Sequence, residues 1–441
     1  MVERFFDVCT QWLIMHLWQI ISIGDFASTQ RPGDGYSGPM ATGVKVARGR
    51  VSLPRDSSAD WLVGAAVSVV HLVAAAVLTG PVGALYEDGG DFHMLAEGLA
   101  RDLDYGPPDF EAARPPGWPM LLAIPYRIFG AHPNVGLVLS AVLAGIASVL
   151  LIRLGGRLGL SAQQSTLAGL GYGLFPWVLV IGASLYAETL FNLLTIGLCY
   201  LIIGFIEQRP APWWWVAVGL LAAYAALVRP VMAFWLPACV LFALGRRLDW
   251  RAACCVVLGL GIVLGAWSWR NYERVDAFVP LTTAGGLTLA LANNGLAGSS
   301  QARDGLPVPP VAEVENDRFY RAFALTWIRD HPAEFAERVP ERVVRTLDPV
   351  TRLNRGVFLP PGARWVVRIL WAVVLALTAV GIAKRHRGPW LVPLSFAVLL
   401  TLPVVVFGGG FRFLIPALPY LALWTVVGAS WVLTLRKARV R

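Results

Sequence analysis

Long apolar runs alternate with short polar intervals along most of the chain. A run of about 20 apolar residues crosses a bilayer as a helix. The pattern predicts about ten such spans: Trp61–Val82, Val135–Ile152, Ser165–Ile181, Thr189–Ile206, Trp213–Val228, Val231–Leu244, Ala252–Trp269, Trp365–Ala383, Trp390–Phe407 and Phe413–Leu435. The expectation is an all-α polytopic membrane protein. Gly117–Phe129 is apolar too, but at about 1.5 Å rise per residue it is too short to cross. It is predicted as a juxtamembrane helix on the outer surface.

The polar intervals sort by charge. Lys45, Arg48, Arg50 and Arg55 precede the first span. Arg153 and Arg157, Arg209, Arg246 and Arg247 with Arg251, and Lys384-Arg385-His386-Arg387 fall in alternate intervals, and a basic tail closes the chain. Basic residues gather on the cytoplasmic side of membrane proteins. That rule puts the acidic interval 86–130 and the long interval 270–364 outside. The organisation predicted is an N-terminal segment 1–55, a membrane module 56–269 containing the first outer loop, an extracytoplasmic interval 270–364, and closing spans with a cytoplasmic tail, 365–441. Within the long interval, Val311–Leu347 reads as helical with breaks at Pro332 and Pro340. Its mixed charges read as a solvated face. The segment 1–55 has two readings, an interfacial helix over Phe5–Ile23 or a translation start at Met40.

Composition agrees: 56% of the 441 residues are hydrophobic and 15% are charged, against about 25% charged in soluble domains. The net charge of +9 lies in loops beside spans, without the interleaved aromatics of a nucleic-acid surface. The five cysteines stand in apolar stretches, without metal-ligand spacing or a disulfide framework. Phosphate-loop, nucleophile-elbow and zinc-protease motifs are absent. Thr283-Ala284-Gly285-Gly286 is glycine-rich but lacks the strand–helix setting of a dinucleotide site.

Ionisable groups in or beside spans are costly, which makes them functional candidates. Here they are His71, Asp91, Glu188, Arg229, Arg270 and Arg412, and all but His71 fall at the outer ends of spans. Asp91 follows Gly89-Gly90 and opens an amphipathic run, so it reads as a helix N-cap or as a general base. Arg114 leads into the turn Pro115-Pro116-Gly117, where rigid punctuation is the alternative to chemistry. Arg229 and Arg412 read either as snorkelling arginines or as a grip on phosphate, which guanidinium suits by its planar donors. Glu188 reads as a dipole-favoured carboxylate at a helix start, or as a group that holds sugar hydroxyls or orients Arg229. His71 reads as a satisfied buried histidine. His93 stands near Asp91, but two residues make no metal site.

Four stretches together carry a family resemblance: GGDFHMLAEGLA with RPPGWPMLLAIPYRIFG; LYAETLFNLL; Arg229-Pro230 with WSWRNYERVDAFVPLTTAGGLTLALANN; and ALTWIRDHPAEFAERVPERVVRTL with RFLIPALPYLAL. From Trp61 onward the chain resembles the glycosyltransferase C superfamily. Within it, the likeness is to the dolichyl-phosphate-mannose protein mannosyltransferases (family 39) and their bacterial relatives. The resemblance implies inverting sugar transfer from a polyprenyl-phosphate donor to a lipid, glycan or protein acceptor, on the outer face of the cell membrane. It implies that Asp91 deprotonates the acceptor, with Asp88 as its rival because many relatives carry Asp-Glu where this chain has Asp91-Phe92. Glu188 matches an acid of the family pattern, and Arg114, Arg229, Arg270 and Arg412 become the donor phosphate-binding candidates. Some relatives use a divalent metal and others none, so a metal stays open. A secondary transporter or flippase is the main alternative, and a structural membrane protein the third. The long polar interval and the lack of half-to-half similarity weigh against transport.

Overall fold

The structure, a computed structural model, describes residues 57–85, 88–108, 110–245, 249–298, 301–309, 312–350 and 361–440. The expectations for segment 1–55 lie outside these residues. The described chain is helical, without a strand. The helices are α1 Ser57–Leu78, α2 Gly80–Ala84, α3 Asp88–Asp102, α4 Gly117–Phe129, α5 Pro133–Arg157, α6 Ala162–Gly173, α7 Pro176–Gly182, α8 Glu188–Gln208 and α9 Trp215–Val228. They continue with α10 Leu236–Leu244, α11 Trp250–Val275, α12 Gly285–Ala292, α13 Glu313–Asp330, α14 Pro332–Leu347, α15 Pro361–Lys384, α16 Leu391–Thr401, α17 Val404–Phe407 and α18 Leu418–Val440.

The protein is an all-helical polytopic membrane protein. Among the described residues, seven helices are long and apolar enough to cross a bilayer. The other three expected spans differ in kind. Ser165–Ile181 is the pair α6–α7, bent by 53°. Pro176 sits at the first turn of α7, where its ring cannot continue the helix before it. His71 answers this break. Its Nε2 lies 2.9 Å from the Gly173 carbonyl, and a carbonyl only accepts, so Nε2 carries the proton. A mid-span histidine here satisfies a backbone oxygen that lipid cannot.

The other two, Pro212–Val228 and Pro230–Leu244, are shorter apolar pieces. They meet at Arg229, whose backbone is extended at φ −142°, ψ 118°. The residue before proline is pushed out of helical conformation. Pro230 therefore both ends α9 and turns Arg229 off the helix axis.

The spans pack through small residues. α5 lies between α1, α6 and α8; α9 packs on α8 and α11; α15 packs on α18. Without a hydrophobic drive between helices in lipid, such contacts depend on close backbone approach. Gly428 of α18 is the tightest case, since a Cβ there would stand 1.9 Å from the Leu377 carbonyl of α15.

α3, α4 and α12–α14 gather at one end of the bundle. α3 packs on α4, and α4 reaches α5 and α9. α12 packs on α13, while α14 packs on α17 and on the 3-10 turn Phe411–Ala417. Pro332 does separate α13 from α14, but Pro340 lies inside α14 rather than breaking it. The charged face of α13 is also not purely solvated, because Asp317 is buried there.

Gly428→Ala should lower the thermal unfolding midpoint of the detergent-purified protein by several degrees, through displacement of α15 from α18. Gly265→Ala, where a Cβ meets nothing within 4 Å, should leave the midpoint unchanged.

Candidate active site

The first turn of α3 carries both Asp88 and Asp91. Residues three apart share one face of a helix, so both carboxylates point the same way. Asp91 is therefore not an N-cap, because the helix already begins at Asp88. Arg114 reaches both. Its Nη2 lies 2.9 Å from Asp88 Oδ1. Its Nε and Nη2 donate to Asp91 Oδ2 at 2.9 and 2.6 Å. Arg412 Nη2 takes the other oxygen of Asp88, Oδ2, at 2.7 Å.

Arg412 then turns to Glu188, the first residue of α8, and donates from Nε to Oε1. Arg229 Nη1 pairs with the same oxygen. The result is one continuous chain of alternating charge: Asp91, Arg114, Asp88, Arg412, Glu188, Arg229. Glu188 is its most buried member, with a side chain 1% exposed. A carboxylate taken that far from water is tolerated only with charged partners, and here it has two. Arg412 also lies over the Tyr186 ring, 4.1 Å from its centroid.

Each arginine is delivered by a backbone irregularity. Arg229 sits in the break before Pro230. Arg412 follows Gly408-Gly409-Gly410, a strap without side chains. A Cβ at Gly409 would lie 2.2 Å from the Arg342 carbonyl, so this passage needs glycine. Arg342 ties the helix before the strap to the end of α12, donating from Nη1 to Val405 O and from Nη2 to Ala292 O, both at 2.6 Å. Arg114 precedes the Pro115-Pro116-Gly117 turn, which is anchored as well as rigid. Tyr224 donates to Gly117 O at 2.8 Å, and the buried Trp118 indole donates to Leu185 O at 2.9 Å.

Beside the charge chain opens a cavity of about 340 Å³. Asp88, Arg114, Glu188, Arg229 and Arg412 stand on its wall with apolar residues that include Phe234, Leu400, Val404 and Phe407. The Thr282-Thr283-Ala284-Gly285 turn supplies Thr282, Ala284 and Gly285 to the same wall. Asp91 lies one ion pair back from this lining, with a side chain 35% exposed.

Of the residues expected from sequence, the structure brings six together and keeps Arg270 apart. Arg270 does not line the cavity. It holds the loop before Arg114, donating to Glu111 O at 2.6 Å and Tyr105 O at 2.9 Å, and lies over the Trp267 ring. His93 contacts the Tyr126 hydroxyl at 2.8 Å, and burial lowers its pKa from the ordinary histidine value. Among the described residues, no group of three or more His, Cys, Asp or Glu is placed to hold a metal ion. Sequence reasoning missed Arg342, Glu313 and Tyr105. They sit in charge-mixed or loop sequence without a motif, and only the folded packing brings them near the site.

Glu188→Ala should leave Arg229 without its carboxylate and Arg412 with Asp88 alone, and destabilise the protein by about 3–5 kcal/mol. Glu188→Gln, which keeps an acceptor oxygen, should cost less. Denaturant unfolding in detergent reads the difference.

Residues 113–269 match the family described as dolichyl-phosphate-mannose-protein mannosyltransferase. No curated protein matches the sequence. Among solved structures, ArnT from Cupriavidus metallidurans bound to undecaprenyl phosphate is similar at 15% identity and a TM-score of 0.42, over 87% of this chain and 79% of that one. The matched family stretch takes in Arg114, Glu188 and Arg229 of the charge chain, and it bears out the resemblance to dolichyl-phosphate-mannose-protein mannosyltransferase-like membrane proteins.

Proposed function

We propose that this protein is a membrane glycosyltransferase that moves a sugar from a polyprenyl-phosphate donor to an acceptor on the outer face of the cell membrane. The observation that carries this is the chain of three carboxylates and three guanidiniums at the wall of a largely apolar cavity between membrane helices. The family match over residues 113–269 supports the same class. A lipid-linked sugar phosphate brings an apolar tail, an anion and a polar ring, and the cavity offers surface suited to each.

Arg412, Arg229 and Arg114 are the proposed phosphate-holding residues. Each guanidinium has five N–H donors, and the ion pairs above use only some of them. Arg270 leaves the set, because its donors serve the 105–111 loop.

Asp91 is the proposed general base. Both oxygens of Asp88 are held by arginines, one each by Arg114 and Arg412. Both bonds from Arg114 to Asp91 fall on Oδ2, which leaves Oδ1 for an acceptor hydroxyl. In the proposed step the acceptor oxygen attacks the anomeric carbon and its proton passes to Asp91. The bond from that carbon to the phosphate oxygen breaks, and polyprenyl phosphate leaves with its negative charge against the arginines. Attack opposite the leaving group inverts the anomeric centre.

The test is transfer by reconstituted protein from radiolabelled polyprenyl-phosphate sugars, supplied one at a time with an envelope extract. Asp91→Asn should lower kcat by about 100- to 10,000-fold, the range for loss of a general base, with donor KM little changed. Asp88→Asn, which loosens Arg412 and Arg114, should raise donor KM. Full activity in both variants would remove the base assignment. Folded wild-type protein that transfers from no donor would move the reading to a lipid-linked-substrate transporter, to be checked by flux.

A further inference from the structure

The segment Glu111–Arg114 has no regular secondary structure, yet each of its residues is tied down. Glu111 O accepts from Arg270. Ala112 O accepts from Thr283 N at 3.0 Å. Ala113 O accepts from the Thr282 hydroxyl at 2.5 Å. Arg114 O accepts from the Tyr105 hydroxyl at 2.8 Å. Burial raises the pKa of that phenol, with Arg270 and Arg114 opposing, so it remains a donor.

One side chain joins this segment to the first turn of α13. Glu313 Oε2 accepts from Glu111 N at 2.8 Å. Its Oε1 accepts from Ala112 N at 3.0 Å and from the Thr283 hydroxyl at 2.5 Å. These three bonds come from neutral donors on two loops about 170 residues apart in sequence. One helical turn on, Asp317 Oδ1 accepts from Gly286 N at 2.6 Å, fixing the start of α12. A carboxylate that accepts several N–H and O–H bonds is a strong and directional anchor. Two residues beyond Ala112 stands Arg114, whose guanidinium holds both Asp88 and Asp91.

We propose that Glu313 is a positioning residue of the active site: it clamps the 111–112 backbone to the Thr283 turn and so fixes where Arg114 presents its guanidinium. Glu313 touches neither the charge chain nor the cavity and acts only through the backbone that carries Arg114. The inference rests on the reading of Arg114 as a phosphate-holding residue. It gives α13–α14 a part in donor binding, and it accounts for a carboxylate on a helix face that sequence assigns to solvent.

The test is a double-mutant cycle on the full-length protein in detergent, with undecaprenyl phosphate as the probe and Kd as the readout. Thermal unfolding of each variant is recorded alongside. Glu313→Ala should weaken binding about tenfold in the wild-type background and less than twofold in the Arg114→Ala background. Residues acting through one another are non-additive, whereas independent sites add. Glu313→Gln, which keeps the side-chain shape and one acceptor oxygen, should fall between Glu313→Ala and wild type. If Glu313→Ala lowers the melting temperature by more than about 5 °C, the Gln variant carries the cycle. Equal weakening in both backgrounds would overturn the inference, as would unchanged binding in Glu313→Ala, and each leaves the Arg114 assignment standing. Wild-type binding in Arg114→Ala, or none in the wild type, would overturn the phosphate assignment and this inference with it.

Discussion

One buried carboxylate governs the arrangement of the site. Glu188 stands at the start of α8, almost wholly removed from water, with Arg229 and Arg412 on a single oxygen. In a low-dielectric setting an unpaired carboxylate or guanidinium would carry a large desolvation cost. The three must be delivered together from a helix start, a proline break and a glycine strap. The spans that carry them are thereby held in register at this end of the bundle. Asp88 and Arg114 extend the same logic outward, each ion pair partly screened by the last.

Much of this was legible in the sequence, because the physics behind it is local. Hydropathy alone places the long spans, and length alone identifies Gly117–Phe129 as a helix that does not cross. The gathering of Asp88, Asp91, Glu188, Arg114, Arg229 and Arg412 follows from alternation of basic loops, which puts them all at one end. The rest depended on packing at long range. Nothing local distinguishes Arg270, which serves a neighbouring loop, from Arg412, which joins the charge chain. The split between Asp88 and Asp91 turns on which oxygens Arg114 and Arg412 occupy. The 3.6-residue pattern cannot separate a straight span from the bent pair at Pro176, because both faces are apolar. The mixed charges of α13 hide two carboxylates turned to the protein, Asp317, which is buried, and Glu313, which is half-buried. Their long-range donors are three backbone N–H groups and the Thr283 hydroxyl, which carry no sequence signature.

The consecutive helices α13 and α14 are also a structural link. At one end Glu313 and Asp317 hold the 111–114 segment and the start of α12. At the other, Arg342 holds Val405, in the helix before the strap that leads to Arg412. Two consecutive helices thus fix two arginines that arrive from opposite ends of the chain. Polar intervals of this length are tolerated between spans when they brace a site that membrane helices alone would leave loose.

The six charges of the site sum to zero. A balanced cluster has a field that dies away within a few ångströms, unlike the reach of a bare cationic cleft. Such a site does not summon anions from bulk water, and its occupancy should depend little on ionic strength. On the proposed function, the donor arrives already at the right depth, by lateral search within the bilayer, and exchanges its own anion for a carboxylate at the wall. On that reading, charge balance at the site favours what travels in the membrane over what is merely dissolved beside it.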